Sequence, residues 1–322
     1  MKFGIPIGNF GTYGKYGDIG DVVDVAERAE LLGFDSVWVH DHIFMPARIG
    51  SRYPYNESGI AGFAYHQDIF DPIATMAAVA VRTSQVQIGT SVLIIPYRDP
   101  LVQAQMIATL DRLSHGRIVL GIGVGWMEEE FEALGLSGEP FSRRGAVTDE
   151  WMRIAQAAWT GAGPISYEGE FRSFGEMGGL VKCAQEPHVP IWVGGKGPIA
   201  ARRVARYGTG YHTITSTPDE VAAEIALVNE EVERTGRDPG EIEVSMLGPM
   251  VLLDGDPESV RGFPAVVGGS RDQIVDQLGA YSEAGLDHAL TLPAYETPNW
   301  DVPPERQMEA MAELSEIVEA LR

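Results

Sequence analysis

Short apolar runs recur down the whole chain: Phe3 to Ile7, Ser36 to His40, Val86 to Val92, Ile118 to Val124, Ile191 to Gly194, Gly210 to Thr215, Ile242 to Leu247 and His288 to Pro293. Runs with so little polar alternation suit strands buried on both faces, the situation of a parallel sheet covered by helices. The stretches between them are helical in period. Val22, Val25, Ala26, Ala29 and Leu32 share one face, as do Val221, Ile225, Val228 and Val232, and Met308, Met311, Leu314 and Leu321 mark the last helix. Helix starts are legible too: Asp71-Pro72 and Asp99-Pro100 pair an N-cap with proline at the first helical position. Thr217 with Glu220 and Ser270 with Gln273 have capping-box spacing.

Strand and helix alternating from end to end imply an α/β fold, and eight such units favour closure into a (β/α)8 TIM barrel, with a doubly wound open sheet as the alternative. No linker, repeat or low-complexity stretch divides the chain, so residues 1–322 are expected to form a single domain. Three stretches that follow strands are long: 44–70, 125–144 and 248–269. All lie on the face where barrel active sites sit, and their length points to substrate-binding loops. The first is rich in aromatics, with Tyr53, Tyr55, Phe63 and Tyr65, as a lid would be. A further excursion, 161–189, follows a helix, and its 165–174 portion alternates like a small hairpin.

Charge narrows the partners. With 24 basic and 46 acidic residues the formal net charge is −22, which opposes approach to nucleic acid or an anionic membrane. A phosphate ligand is compatible with it, since backbone N–H groups act over a few ångströms. One cysteine, Cys183, allows neither an intrachain disulfide nor a cysteine-rich metal cage. No apolar stretch of membrane-spanning length and no signal-peptide pattern occurs, so a cytoplasmic protein acting on a small molecule is expected.

Three motifs carry chemistry. His40-Asp41-His42 leaves the second strand at the catalytic face, where a histidine oriented by a carboxylate can exchange a proton with a carbonyl or alcohol. Gly194-Gly195-Lys196-Gly197-Pro198 joins the fifth strand to a helix, and free N–H groups plus one of the few lysines suit a phosphate. Gly121-Ile122-Gly123-Val124-Gly125-Trp126 superficially resembles a dinucleotide fingerprint, but Trp126 replaces the third glycine and the run sits mid-chain. Its alternating glycines are read instead as letting a flat ligand lie near the strand end. The acidic run Glu128 to Glu130 reads equally well as the solvated first turn of a helix. Another class stays open: His40 and His42, two apart on a strand, match the H-x-H pattern of a metal-dependent barrel hydrolase, with His212 as a further ligand. The fifth strand's glycine-lysine end and the absence of His, Lys or Asp at the fourth strand's end argue against it. A non-catalytic binding barrel would leave the histidine and glycine motifs as coincidences.

Several of these segments, in order, resemble the bacterial luciferase-like monooxygenases. They are Gly33-Phe34-Asp35-Ser36-Val37-Trp38-Val39 into Asp41-His42, Ile88-Gly89-Thr90-Ser91-Val92, Leu113-Ser114-His115-Gly116-Arg117 into Gly121 to Trp126, Pro190 to Gly195, and Ala284-Gly285-Leu286-Asp287. The flavour is that of the coenzyme F420 (deazaflavin)-dependent oxidoreductases. The resemblance implies hydride transfer between the deazaflavin and a small organic substrate, with His42 as acid–base residue. It implies a cofactor site made from Asp41, Thr90, Ser91, Val92, Gly123, Trp126 and the phosphate loop Gly194, Gly195, Lys196 and Gly197. A non-prolyl cis peptide is expected at Ser91–Val92, and a homo-oligomer, a dimer, is expected. The same fold with FMN would be a monooxygenase. Two departures stand out: Trp126 stands where the family's sugar-phosphate dehydrogenases have a glutamate, which argues against a sugar-phosphate substrate, and Thr209-Gly210 replaces a usual Asp-Gly, which bears on local packing.

Overall fold

Each expected strand forms, and each helix start caps as its sequence suggests. In the computed structural model, which describes residues 1–9, 18–55, 58–60, 68–136, 138–254, 265–295 and 304–321, the Asp71 carboxylate accepts from the Ala74 N–H, and Asp99 accepts from Leu101 and Val102. Both reciprocal capping boxes, Thr217/Glu220 and Ser270/Gln273, are closed. These contacts satisfy N–H groups that a helix cannot pair internally.

The barrel is built from β1 (Lys2–Pro6), β2 (Ser36–Val39), β3 (Gln87–Thr90), β5 (Ile118–Gly123), β8 (Ile191–Gly194), β9 (Gly210–Ile214), β10 (Glu243–Asp254) and β12 (His288–Tyr295). Every neighbouring pair is parallel, and β12 returns to β1, which excludes an open sheet. The helices lie outside, with their apolar stripes on the strands: Val22, Val25, Ala26 and Ala29 of α1 (Ile19–Leu31) are buried. Among the described residues, no helix is long and apolar enough to cross a membrane.

Two tryptophans fill the lumen. Trp38 and Trp192 are buried and stacked, ring centres 5.0 Å apart. Neighbouring strands make room with glycine: a Cβ on Gly89 would stand 2.2 Å from the Trp38 ring, and one on Gly210 equally close to Trp192. Large side chains facing small ones is how a narrow barrel packs at crystal-like density. Trp192 accounts for Gly210 in the Thr209-Gly210 pair. The Thr209 hydroxyl also accepts the Ile191 N–H at 3.0 Å.

Two boundaries differ from expectation. The third strand ends at Thr90, turns through a cis Ser91–Val92 peptide, and resumes as β4 (Leu93–Ile94) against β5. The seventh continues past Leu247 to Asp254, with a register shift at Leu247/Gly248, and pairs with β11 (Val266–Gly268). Much of the stretch read as a loop from 248 is therefore strand. The hairpin is present as β6 (Ile165–Glu168) and β7 (Ser173–Met177). Buried Glu150 grips its tip by accepting the N–H groups of Glu170, Phe171 and Arg172. In the aromatic lid, Tyr53 and Tyr55 are described, while Phe63 and Tyr65 lie outside the described residues.

Candidate active site

The strand β2 stops at Val39, and the polar residues after it are fixed one by one. Buried Asn9, just beyond β1, clamps the backbone: its Oδ1 accepts the His40 N–H at 2.7 Å and its Nδ2 donates to the His40 carbonyl at 2.8 Å. The chain is no longer a strand here, and the two histidines are held separately. His40 Nδ1 donates to the Ser91 carbonyl at 2.7 Å, whereas His42 Nδ1 meets a carboxylate.

That carboxylate is Glu130. Its Oε2 accepts from His42 Nδ1 at 2.6 Å and from the Tyr97 hydroxyl at 2.9 Å, and its Oε1 accepts the Ile43 N–H at 3.0 Å. Glu130 is completely buried and His42 is 7% exposed. Burial and the adjacent carboxylate push the Tyr97 hydroxyl far above its usual range, so it serves as a fixed donor. The reading of Glu128 to Glu130 as a solvated turn fails for its last member. Met127, Glu130, Phe131 and Leu134 follow the i, i+3, i+4, i+7 pattern of an inward helical face, and α4 (Glu128–Ala133) buries Glu130 beside Phe131. That spacing was the available signal.

Asp41 has a different task from orienting His42. Its carboxylate pairs with both terminal nitrogens of Arg98, at 2.7 and 2.9 Å, and accepts the Ile94 N–H at 2.8 Å. Burial pushes the Asp41 carboxyl upward, and the guanidinium and Ile94 N–H oppose it. The Arg98 guanidinium, although burial lowers it, is raised overall by Asp41. The pair ties the end of β2 to the segment after β4.

Ser91 is held from two sides. His40 takes its carbonyl, and His212 Nε2 lies 2.8 Å from its hydroxyl. The direction of the protons follows from the next link. Ser245 donates its single hydroxyl proton to the Tyr211 carbonyl, so it must accept from His212 Nδ1–H, 2.8 Å away. A neutral imidazole then offers Nε2 as a lone pair, and Ser91 donates to it. Burial, reinforced by His288 and His40, pushes His212 down to about 3, which keeps it neutral. The Ser91 hydroxyl thus turns its proton into the barrel and its lone pairs away from it.

The glycines around this turn make room for the chain itself. A Cβ on Gly121 would collide with the Thr90 carbonyl, on Gly123 with the Val92 side chain at 2.4 Å, and on Gly194 with Val92 at 2.8 Å. They accommodate the Thr90–Val92 turn. Thr90 is wholly buried with its hydroxyl on the Gly121 carbonyl, so it shapes the turn. In the phosphate-loop candidate, Gly195 and Gly197 adopt φ of +116° and +79°, which only glycine takes readily. A Cβ on Gly197 would meet nothing within 4 Å, and α7 (Gly197–Tyr207) begins without a side-chain cap. Lys196 is paired with Glu224 at 3.5 Å.

Trp126 stands beside His42, ring centres 6.3 Å apart and nearly perpendicular, and Tyr53 meets the same tryptophan at 5.2 Å. The departure from glutamate therefore puts an aromatic ring beside His42. Among the described residues no three potential metal ligands converge, and both nitrogens of His212 already have partners.

Comparison with known proteins agrees with this architecture. The family model described as luciferase-like monooxygenase matches residues 1–263. An uncharacterized protein of Mycobacterium tuberculosis is 30% identical over 265 residues, 79% of this chain and 89% of that protein. The F420-dependent glucose-6-phosphate dehydrogenase of Rhodococcus erythropolis is 34% identical over 304 residues, covering 81% and 84%. Among solved structures, an F420-dependent secondary alcohol dehydrogenase superposes with a TM-score of 0.78 at 20% identity, over 100% and 99% of the two chains. The FMN-bound oxygenating constituent of 3,6-diketocamphane monooxygenase from Pseudomonas putida gives 0.74 at 18%, over 99% and 98%.

Proposed function

Because this chain belongs to the luciferase-like monooxygenase family and is an oxidoreductase, we propose that it moves a hydride between a deazaflavin of the F420 type and a small organic substrate, with His42 as the acid–base residue. The observation that carries this reading is the buried His42–Glu130 pair at the C-terminal mouth of the barrel, one strand from the Ser91–Val92 turn. F420-dependent relatives at 34–36% identity support the choice of cofactor.

The residues present fit such a group. Val92 is packed from behind by Gly123 and Gly194, which makes the turn a firm backing for a planar ring. Gly195, Lys196 and Gly197, at an uncapped helix start, offer N–H groups and a cation to a phosphate. When bound, the deazaflavin supplies or accepts the hydride.

The remaining work falls to side chains. Glu130 accepts from His42 Nδ1, which fixes the ring's orientation, and the proton exchanged with substrate is assigned to Nε2. A carbonyl reduced at carbon needs a proton on oxygen, and an alcohol oxidised at carbon must lose one; a histidine held this way serves either direction. Tyr97 and the Ile43 N–H fix the carboxylate, and Trp126 limits water at the ring.

FMN is the second reading, since a barrel of this shape holds it in the diketocamphane enzyme. Titration of the purified protein with F420 and with FMN, followed by absorbance and fluorescence, separates the two. Tight FMN binding with no F420 binding overturns the preferred reading. A His42→Ala variant is expected to lose about 10²- to 10⁴-fold in kcat while still binding cofactor; full turnover would remove the acid–base assignment.

A further inference from the structure

Resting on the acid–base role of His42, we infer that the substrate is an uncharged, flat organic molecule of the aryl ketone or cyclic enone class, or the matching alcohol, seated against Trp126 and Tyr53, and that phosphorylated sugars are poor ligands. Three edge-to-face contacts run outward from the proton-transfer residue. His42 meets Trp126 at 83°, Trp126 meets Tyr53 at 78°, and Tyr53 meets Tyr55 at 77°, with centres 5.2 to 6.3 Å apart. Trp126, Tyr53 and Tyr55 are all partly exposed, so the wall has a surface to offer. Burial and Tyr55 push the Tyr53 hydroxyl up to about 12, so it stays an uncharged phenol.

The wall and the acid–base pair form one unit. The helix that turns Glu130 inward to His42 turns Glu129 outward. There Glu129 accepts the Gly50 and Ser51 N–H groups and the Ser51 hydroxyl. Ser51 Oγ in turn accepts the Glu128 N–H at 2.9 Å. The start of the aromatic segment is thereby fastened to the element that orients the histidine, and the distance from ring face to reacting nitrogen is fixed.

Among the described residues, Arg98 holds Asp41 and Asp71, Arg144 donates to the Gly125 and Phe141 carbonyls, and Arg172 pairs with Asp99, so these three guanidiniums are committed within the protein. Indole and phenol rings also leave most hydroxyls of a sugar without hydrogen-bond partners, whereas a flat apolar molecule loses nothing there. When bound, a reduced deazaflavin would supply the hydride to the carbonyl carbon and leave oxidised, while His42 would give the proton to the carbonyl oxygen, yielding the alcohol.

The test uses acetophenone and glucose 6-phosphate as probes. Tryptophan fluorescence and calorimetry are recorded on the purified full chain, alone and saturated with F420. Acetophenone is expected to bind at least tenfold more tightly than glucose 6-phosphate. Trp126→Phe should retain that affinity within about threefold, because an aromatic face remains. Trp126→Glu should lose it by tenfold or more. Equal or tighter binding of glucose 6-phosphate, no acetophenone binding in either state, or unchanged acetophenone affinity in a Trp126→Glu variant of native circular dichroism would overturn the inference. Failure of F420 to bind would instead strike the cofactor reading, and acetophenone binding to the protein alone is scored independently of it.

Discussion

Ser91, on the turn after the third barrel strand, and His212, on the sixth, meet inside the barrel with hydroxyl and ring nitrogen 2.8 Å apart. In this contact Ser91 donates to Nε2; protonating the buried ring would reverse that bond and place a charge where water is excluded, which is what keeps His212 neutral.

A pH dependence of stability follows, and its sign is fixed. The His212 folded-state value of about 3 lies below the ordinary 6.5, so its contribution is complete above 6.5 and is lost as pH falls toward 3. Between pH 7 and pH 5, where carboxylates of ordinary pKa titrate little, the wild type should lose about 2 kcal/mol from this group. Urea unfolding of the wild type and of His212→Asn at both pH values reads it. The variant should be less stable at pH 7 and should show a flatter profile. Parallel profiles for the two proteins would contradict the neutral assignment.

Glu130→Gln removes a charge and keeps the shape. The amide can accept from Tyr97 or from Ile43, but it no longer holds His42 as an anion does. The expected result is a kcat lower by roughly 10- to 100-fold, part of the factor attributed to general acid–base catalysis, with KM nearly unchanged. A fall in KM-dependent terms alone would make Glu130 a substrate contact instead.

Asp41→Asn acts on stability. It leaves the Arg98 guanidinium, 13% exposed, without its bidentate partner and with Asp71 at 3.3 Å as the remaining one. Breaking a buried ion pair from one side costs about 3–5 kcal/mol, and the expected loss is at the lower end because Asp71 remains. Chemical denaturation measures it.

Lys196→Ala tests the phosphate loop. Since Lys196 is substantially exposed and shares its charge with Glu224, the affinity for F420 should fall by about fivefold, the effect of roughly 1 kcal/mol from one exposed charge. The difference between variant and wild type should shrink as salt is added. Calorimetric titration at two ionic strengths checks both statements.

The sequence by itself determined the eight strands, the capped helices between them and the glycine-lysine loop at a helix start, because periodicity and capping are local properties of neighbouring residues. It also singled out His42 and the Ser91–Val92 turn. What it could not state is who touches whom. Glu130 is 88 residues from His42, and His212 is 121 from Ser91. Arg98, 57 residues from Asp41, took the carboxylate that adjacency seemed to assign to histidine. Those pairings arise because barrel closure brings the ends of distant strands to one mouth, where a buried polar group must find whichever partner lies within hydrogen-bond reach.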